Sequence, residues 1–384
     1  MRKFLLLLAL AACTSGPAPE DDPEPPEPTP RDYPELTALD AVIEAELETS
    51  NVSGLSACIT RGEDTLWCEG YGLADREENR PVTPRTPFML ASVSKTVTGV
   101  ALMHLVETGE LTLDDPVGDH LDFEVVHPTD PTAITARMLM THTAGIADNW
   151  GAMGAVIVDG DSPIALGDFL ADYLVPGGEW YSASDNFVQD GVLSARQYSN
   201  IGAALAGYLV EAVSGVPFSS YCETHIFEPL GLTDTGWHLA DLDEDLLAVP
   251  YDWSGEDWEP IEHYGYPDYP DGALRTGAEQ LASFMTMFAN EGSRDGTRVL
   301  SQDSVAEMRT VHYPDLDSNQ GLIWYSWALD GESVTGHNGA DAGVSTEIGF
   351  RDDGTGFVVL MNGRSRDGIL GNVERALFEA ADSL

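Results

Sequence analysis

The sequence predicts an α+β fold, in which one antiparallel β-sheet is flanked by N- and C-terminal helices and interrupted by an all-helical inserted region. Two observations carry this prediction. Strand-like segments occur in two groups, at positions 55–71 and 321–361, with an amphipathic helix before the first group and another after the second. The region between the groups, about 111–270, has the pattern of helices and loops. We therefore expect both ends of the chain to build a single sheet.

The N-terminus has the features of a lipoprotein signal peptide, which we assign to residues 1–12. A basic start precedes an apolar run that is too short to span a bilayer. Cys13 follows in a sequence similar to the bacterial lipoprotein cleavage box, so we expect it to be lipidated; the alternative is an ordinary secretory signal with an incidental cysteine. Residues 13–35 are rich in proline and acid, which predicts a disordered tether.

This leader predicts an exported protein of the bacterial cell envelope, anchored to a membrane through its N-terminal lipid. The folded domain is expected over residues 36–384. It should begin with an amphipathic helix near 36–47, followed by a hairpin of strands 55–59 and 66–71.

The four cysteines fit this location. Cys58 and Cys68 lie symmetrically about the turn of the predicted hairpin, and in an exported protein they are expected to form a disulfide. Cys222 is left over, and we expect it to be a small buried hydrophobic residue.

The remaining elements follow from periodicity and turn residues. After the helical region, we expect the chain to return to the sheet as a series of strands and to end in a helix. The predicted helices are 201–214, 278–290, 301–309 and 367–381, and the predicted strands are 321–329, 333–337, 344–350 and 356–361.

The charge excludes one class of partner. The formal net charge is -47, from 65 acidic and 18 basic residues, and such a surface repels nucleic acid. The acid is spread along the chain, which fits either a high-salt habitat or a biased host proteome.

Acidic runs such as 241–245 lack the spacing and glycine of a calcium loop, and no zinc-type cluster is evident. We expect no metal and no cofactor.

A serine three residues before a lysine is the strongest candidate for chemistry. Ser92 and Lys95 would lie on one face of a helix, about 5–6 Å apart at Cβ. Lys95 and Lys3 are the only lysines in the sequence. An arginine cannot lose its proton in a protein, whereas a desolvated lysine shifts its pKa readily and can accept one. We therefore expect a buried Lys95 amine that activates Ser92; the alternative is a surface lysine placed there by chance.

Two further motifs follow in order, Tyr198-x-Asn200 and His337-x-Gly339. Taken alone, the first could be an aromatic residue and a helix N-cap, and the second an ordinary strand segment. Together with Ser92-x-x-Lys95, they make the chain resemble the serine β-lactamase and penicillin-binding protein superfamily, and within it the class C β-lactamase-related group. The resemblance covers about 40–380. It rests on segments 89–95, 140–146, 198–202, 226–232 and 336–339.

The resemblance implies a role for each motif residue. Ser92 would be the nucleophile that forms an acyl-enzyme, Lys95 would deprotonate it, and Tyr198 would shuttle protons. Asn200 would donate to a substrate carbonyl, and His337 and Gly339 would line the substrate site. The backbone N–H groups of Ser92 and Ala340 would form the oxyanion hole. His142, between two threonines, reads as a structural hydrogen-bonding residue.

One departure bears on the substrate. Many β-lactamases carry Lys-Thr-Gly or Lys-Ser-Gly where this chain has His337-Asn338-Gly339. A histidine is only partly charged near neutral pH, so recognition of a substrate carboxylate should be weaker. The resemblance therefore implies a serine hydrolase of small-molecule or peptide substrates, a D-peptidase or esterase. The alternatives are a true β-lactamase and a catalytically silent lipoprotein that binds cell-wall peptides.

Overall fold

A seven-stranded antiparallel sheet lies at the centre of the computed structural model, which describes residues 34–384. The predicted signal peptide, the lipidation of Cys13 and the predicted tether up to residue 33 fall outside the described residues. The last two residues assigned to the tether, Pro34 and Glu35, are not disordered but begin the first helix, where a proline and an acidic residue are favourable in the first turn. The strands in chain order are β1 (Gly54–Arg61), β2 (Asp64–Asp75), β3 (Arg80–Pro81), β4 (Tyr325–Leu329), β5 (Glu332–Asp341), β6 (Val344–Arg351) and β7 (Thr355–Met361).

The sheet order is β4-β5-β6-β7-β1-β2-β3, so the last strand of the chain pairs with the first. Leu55 lies opposite Met361, and this antiparallel pairing continues to Arg61 opposite Thr355. The two groups of strands therefore form one sheet, and the predicted α+β fold is confirmed.

Both faces of the sheet are covered, which explains why strand β7 is buried along its whole length. Successive side chains of a strand point to opposite faces. Phe357 and Val359 belong to one hydrophobic core, together with the terminal helices. Val358 and Leu360 belong to a second, larger core that includes the long central helices.

Helices cover both faces of this sheet. Their bounds are α1 (Pro34–Ser50), α2 (Ser94–Thr108), α3 (Ala136–Met140), α4 (Trp150–Ala155), α5 (Leu166–Leu174), α6 (Asn200–Ser214), α7 (Phe218–Cys222), α8 (Glu228–Leu230), α9 (Ala278–Ala289), α10 (Gln302–Arg309) and α11 (Ile369–Ala381). A π-helical turn, Glu223–Phe227, links α7 to α8, and 3-10 turns include Ala91–Val93 and Tyr269–Asp271. Helices α1 and α11 pack together against the sheet.

The inserted region is not purely helical. Two short antiparallel strand pairs lie within it, Val158–Asp159 with Tyr264–Gly265 and Tyr251–Trp253 with Trp258–Pro260. Pairs of two or three residues carry no periodic signal in the sequence, so pattern reading could not find them.

One predicted strand begins later than expected, at Tyr325 rather than at Gly321. The amide of Gln320 donates to the carbonyls of Gly321 and Ile323, at 3.0 and 3.1 Å, and so holds this segment in a turn. Ile323 has a φ of 66°, which no strand residue adopts.

The two cysteines of the hairpin face each other across strands β1 and β2, and a disulfide joins Cys58 to Cys68. Cys222 is free and buried. Over residues 34–384, no single helix is long and apolar enough to cross a membrane; helix α6 and the segment 218–230 reach that length only as a pair bent by 80°.

Candidate active site

The serine of the first motif lies at the entry to helix α2. Ser92 is the middle residue of the 3-10 turn Ala91–Val93, and the α-helix follows at Ser94. Ala91 has a φ of 48°, a left-handed conformation that costs free energy for any residue with a Cβ. The turn therefore holds Ser92 in a constrained position, half-buried, at the lining of two cavities.

The lysine of the same motif is completely buried beneath this serine. Its ammonium donates to Ser92 Oγ at 3.1 Å and to the carbonyl oxygen of Asp271 at 2.6 Å. One turn further along the helix, Thr98 Oγ1 donates to the carbonyl of Pro270 at 2.6 Å. The turn Tyr269–Asp271 is thus fixed against helix α2, and it fixes the direction of the Lys95 side chain.

The surroundings of Lys95 favour its protonated form over the neutral amine that we expected from the sequence. Burial in itself lowers the pKa of Lys95, but the nearby Tyr198 oxygen and the carboxyls of Asp271 and Asp148 outweigh burial, and the pKa is raised. Lys95 is therefore a cation at neutral pH. A cation donates hydrogen bonds and stabilises negative charge, but it cannot take the proton of Ser92.

The tyrosine of the second motif stands beside this cation. Lys95 Nζ lies 5.1 Å from the centre of the Tyr198 ring. The Tyr198 hydroxyl is buried, and its interaction with the Lys95 ammonium raises the pKa of Lys95. The His142 ring packs against the Tyr198 ring, with centroids 4.5 Å apart, and His142 Nδ1 accepts the N–H of Ser199 at 3.2 Å. His142 therefore positions the tyrosine segment.

Asn200 is held by a carboxylate that the sequence did not single out. Asp148 accepts the Asn200 side-chain amide at 2.9 Å and the backbone N–H groups of Asn200 and Ile201 at 2.9 and 3.2 Å. These N–H groups belong to the first turn of helix α6, where backbone donors lack intrahelical partners. One amide hydrogen and the amide oxygen of Asn200 remain free to meet a substrate.

The third motif lies within strand β5, next to the serine. Gly339 fits only because it has no side chain: a Cβ there would lie 2.5 Å from the Leu90 carbonyl and 2.9 Å from the Ser92 nitrogen. Ala340 follows and lines both cavities with Ser92. Strand β5 thus places the backbone of residues 339–340 against Ser92. An oxyanion hole formed by the backbone N–H groups of Ser92 and Ala340 requires this proximity.

His337 is buried and uncharged. Burial and the positive charges of Lys95 and Arg196 lower its pKa to about 3, so it carries no charge at neutral pH, not even the partial charge that we expected. Its Nδ1 faces the carbonyl of Asn338 at 2.6 Å, and its Nε2 finds no partner among the described residues. His337 cannot hold a substrate carboxylate by charge.

Ser92 stands between two cavities. The first, of ≈ 120 Å³, is shared with Asn200 and Ala340 and is lined by three aspartates, Asp268, Asp271 and Asp341. The second, of ≈ 640 Å³, is shared with Tyr198 and His337 and has aromatic walls. Arg196 lines the second cavity, but Gln320 Oε1 already accepts from it at 2.9 Å.

The structure thus brings together Ser92, Lys95, Tyr198, Asn200, His337, Gly339 and Ala340. Sequence reasoning missed Asp148 and the aspartates of 266–272. The repeated tripeptide Tyr-Pro-Asp at 266–271 was a visible signal for the latter. In the described part of the chain, no group of three or more His, Cys, Asp or Glu side chains could hold a metal ion.

Comparison with known proteins gives the family. A model of the Beta-lactamase family matches residues 39–381. Esterase EstB of Burkholderia gladioli is 34% identical over 218 residues, which cover 56% of this chain and 54% of the esterase. A beta-lactamase of Yersinia enterocolitica is 26% identical over 283 residues, or 71% of this chain and 64% of the relative. The chain therefore spans less than two thirds of both.

A solved structure shares the fold. The octameric penicillin-binding protein homologue from Pyrococcus abyssi superposes with a TM-score of 0.73 at 24% identity, over 90% of this chain and 77% of its own. With the family model covering nearly all described residues, this chain belongs to the Beta-lactamase family.

Proposed function

We propose that the protein is a serine hydrolase that forms an acyl-enzyme at Ser92 on amide or ester substrates. The observation that carries the proposal is the contact of a fully buried lysine ammonium with the serine hydroxyl, 3.1 Å apart, beside the buried hydroxyl of Tyr198. A buried charge is costly unless it serves a partner. The esterase and beta-lactamase relatives support the same reaction class.

In acylation, Ser92 Oγ bonds to the substrate carbonyl carbon while its proton passes to the Tyr198 oxygen, which acts as the general base. The proton then moves to the leaving amine or alcohol. In deacylation, water attacks the acyl carbon, gives its proton to Tyr198, and Ser92 regains a proton as it leaves. Lys95 keeps its own proton throughout and offsets the phenolate charge.

The oxyanion would be stabilised by the backbone N–H groups of Ser92 and Ala340. The contact of Gly339 with the Ser92 nitrogen supports this pairing. One oxyanion donor commonly contributes ~3 kcal/mol to transition-state stabilisation. Asn200, fixed by Asp148, would donate to the substrate carbonyl on its other side.

The third motif favours peptides or esters over lactam antibiotics. A neutral His337 offers no charge for the carboxylate of a β-lactam. The cation on that side, Arg196, is already engaged by Gln320 and lies 3.7 Å from Asp317. A true β-lactamase is therefore the second candidate, and a silent binding protein is disfavoured because Ser92, Lys95 and Tyr198 are all retained in contact.

The test uses three substrate classes and one probe. Purified protein should hydrolyse short-chain p-nitrophenyl esters or D-amino-acid peptides faster than nitrocefin, and a fluorophosphonate probe should label it at Ser92. The Ser92→Ala variant should lose both. A folded protein that turns over no substrate and takes no label would support the silent binding protein instead.

We further propose that the chain is exported and acylated at Cys13. The disulfide between Cys58 and Cys68 supports an oxidising compartment. Intact-mass analysis of membrane-extracted protein should give a chain that begins at acylated Cys13. Recovery of a soluble chain that retains residues 1–12 would refute this.

A further inference from the structure

The smaller cavity beside Ser92 is acidic at its base. Asp268 and Asp271 line it together with Ser92, and both aspartates are nearly buried, with 2% and 5% of their surface exposed. Asp341 joins them from the end of strand β5, held by the Tyr266 hydroxyl at 3.3 Å. Among the described residues that line this cavity, none is basic.

One of these carboxyls lacks a partner. Asp268 Oδ1 is buried and forms no hydrogen bond with any residue between 34 and 384. A buried carboxylate oxygen without a donor is costly, so a donor supplied by a ligand would stabilise it. The neighbouring lysine does not complete it, because the Lys95 ammonium bonds to Ser92 and to the backbone oxygen of Asp271.

The charge of the missing partner follows from its surroundings. Burial, together with the charge of Asp148, raises the pKa of Asp268 to about 7. Burial and the charge of Asp268 raise the pKa of Asp271 as well. A cation bound between them would replace the protons that they otherwise hold. A cationic group fits this lining, which has three aspartates and, among the described residues, no basic one.

The mouth of the cavity is apolar. Trp150 is 69% exposed and Ile157 is 47% exposed, and both line the cavity with Met153. Large apolar side chains at such exposure offer a surface for an apolar group of a ligand. The cavity therefore combines carboxyls near the nucleophile with an apolar rim.

We propose that this cavity binds the protonated amine of an aminoacyl substrate, so that the enzyme prefers amides and esters whose acyl group carries a free ammonium close to the scissile carbonyl. This inference rests on the proposed acyl-enzyme at Ser92 and names its substrate class. The ammonium donates to Asp268 and Asp271, and the side chain of the aminoacyl group packs against Trp150 and Ile157. A substrate with a carboxylate at the same place is repelled.

The test compares alanine p-nitroanilide with N-acetylalanine p-nitroanilide, each in both configurations, and measures the ratio of their kcat/KM values. We expect the wild type to prefer the free amine at least tenfold. Asp268→Asn and Asp271→Asn should each lower that ratio about 10- to 100-fold, the range of a hydrogen bond to a charged group. Glu262→Gln, which removes an exposed acid of the same segment, should keep the ratio within about twofold, because it controls for the long-range attraction of cations by this acidic protein.

A second measurement uses only the wild type, in case a variant fails to fold. Phenethylamine should inhibit p-nitrophenyl acetate hydrolysis at least tenfold more strongly than 2-phenylethanol, which has the same shape without the charge. The inference is overturned if the alcohol inhibits equally well, if the acetylated anilide is preferred, or if both aspartate variants keep the wild-type ratio. Absence of ester turnover and of fluorophosphonate labelling at Ser92 would overturn the proposed function, and this inference with it.

Discussion

The Lys95 ammonium donates to the hydroxyl of Ser92 across 3.1 Å while it is completely buried. The same ammonium reaches the backbone of Asp271, which lies 176 residues further along the chain. The Tyr198 oxygen and the carboxyls of Asp271 and Asp148 raise the pKa of Lys95, which favours a cation that holds Ser92 and offsets negative charge. The shape of the Lys95 side chain and its two hydrogen bonds are therefore as important for this role as its charge.

Replacing this lysine by arginine tests that conclusion. Lys95→Arg keeps the charge, but the planar guanidinium does not fit the space of a fully buried ammonium. We expect kcat/KM for a p-nitrophenyl ester to fall on the order of 10³-fold or more, as for Ser92→Ala, because residues of one nucleophilic unit fail together. Fluorophosphonate labelling should fall in parallel.

Arg196→Lys is the matched control, since it exchanges the other cation beside the Tyr198 ring. Arg196 is partly exposed, so this exchange should cost at most several-fold in kcat/KM. Thermal melts should show both variants folded. If Lys95→Arg keeps most of its turnover and labelling, Lys95 has no catalytic part.

Gly339 should tolerate no side chain at all. A methyl group there meets the Leu90 carbonyl and Thr346 Oγ1, both at 2.5 Å, and must displace the backbone at Ser92. We expect Gly339→Ala to lose on the order of 10²-fold in kcat/KM, the cost of one misplaced oxyanion donor. Gly371→Ala, in open space on helix α11, should leave kinetics and melting temperature close to wild type. Equal activity of the two variants would contradict the close approach of Gly339 to the backbone at Leu90 and Ser92.

The sequence predicted the parts of the site that lie in short local motifs, and it missed those formed by contacts between distant loops. Ser92 and Lys95 are three residues apart on one helix, so helix geometry alone brings them together. Asp148 reaches Asn200 from 52 residues away, on a loop without periodicity. The direction of the Lys95 pKa shift could not be predicted from the sequence either, because it depends on Tyr198 and on carboxyls that only tertiary packing brings near.

Asp148 should be needed for the position of Asn200. In Asp148→Asn, an NH₂ group replaces one of the two acceptor oxygens. This NH₂ group then faces backbone N–H groups whose hydrogen bonds the carboxylate accepts in the wild type. We expect a loss of about 1–3 kcal/mol in the free energy of unfolding, measured in urea, and a decrease in kcat/KM. Asp185→Asn, at an exposed acid whose carboxylate accepts a hydrogen bond from Ser182 Oγ, should change neither. A fully active and stable Asp148→Asn protein would refute this role.

The disulfide should add a modest amount of stability. It closes a loop with a sequence separation of only 10, which by chain entropy corresponds to about 2–3 kcal/mol. Non-reducing peptide mapping of exported protein should recover Cys58 and Cys68 in one linked peptide pair. A Cys58→Ala/Cys68→Ala variant should unfold at lower urea with catalysis retained, whereas finding both thiols free would exclude the bond.

His337 should make the protein less stable in acid. Its pKa is about 3 in the folded state, whereas an unfolded histidine titrates near 6.5. Below pH 6.5 the unfolded chain therefore binds a proton that the folded chain refuses, and the free energy of unfolding falls as the pH falls from 6.5 towards 3. At pH 5 this corresponds to roughly 2 kcal/mol.

Other groups change stability in the same pH range, so the measurement must be a difference. Burial raises the pKa of Glu347 to about 8 and that of Asp268 to about 7, and both shifts stabilise the folded state as the pH falls. These groups are present in the wild type and in His337→Gln alike. Urea unfolding of both proteins at pH 7.5 and pH 5 should show the variant losing roughly 2 kcal/mol less than the wild type over this interval. If both lose the same amount, His337 is protonated in the folded protein at pH 5, and it could then hold a substrate carboxylate after all.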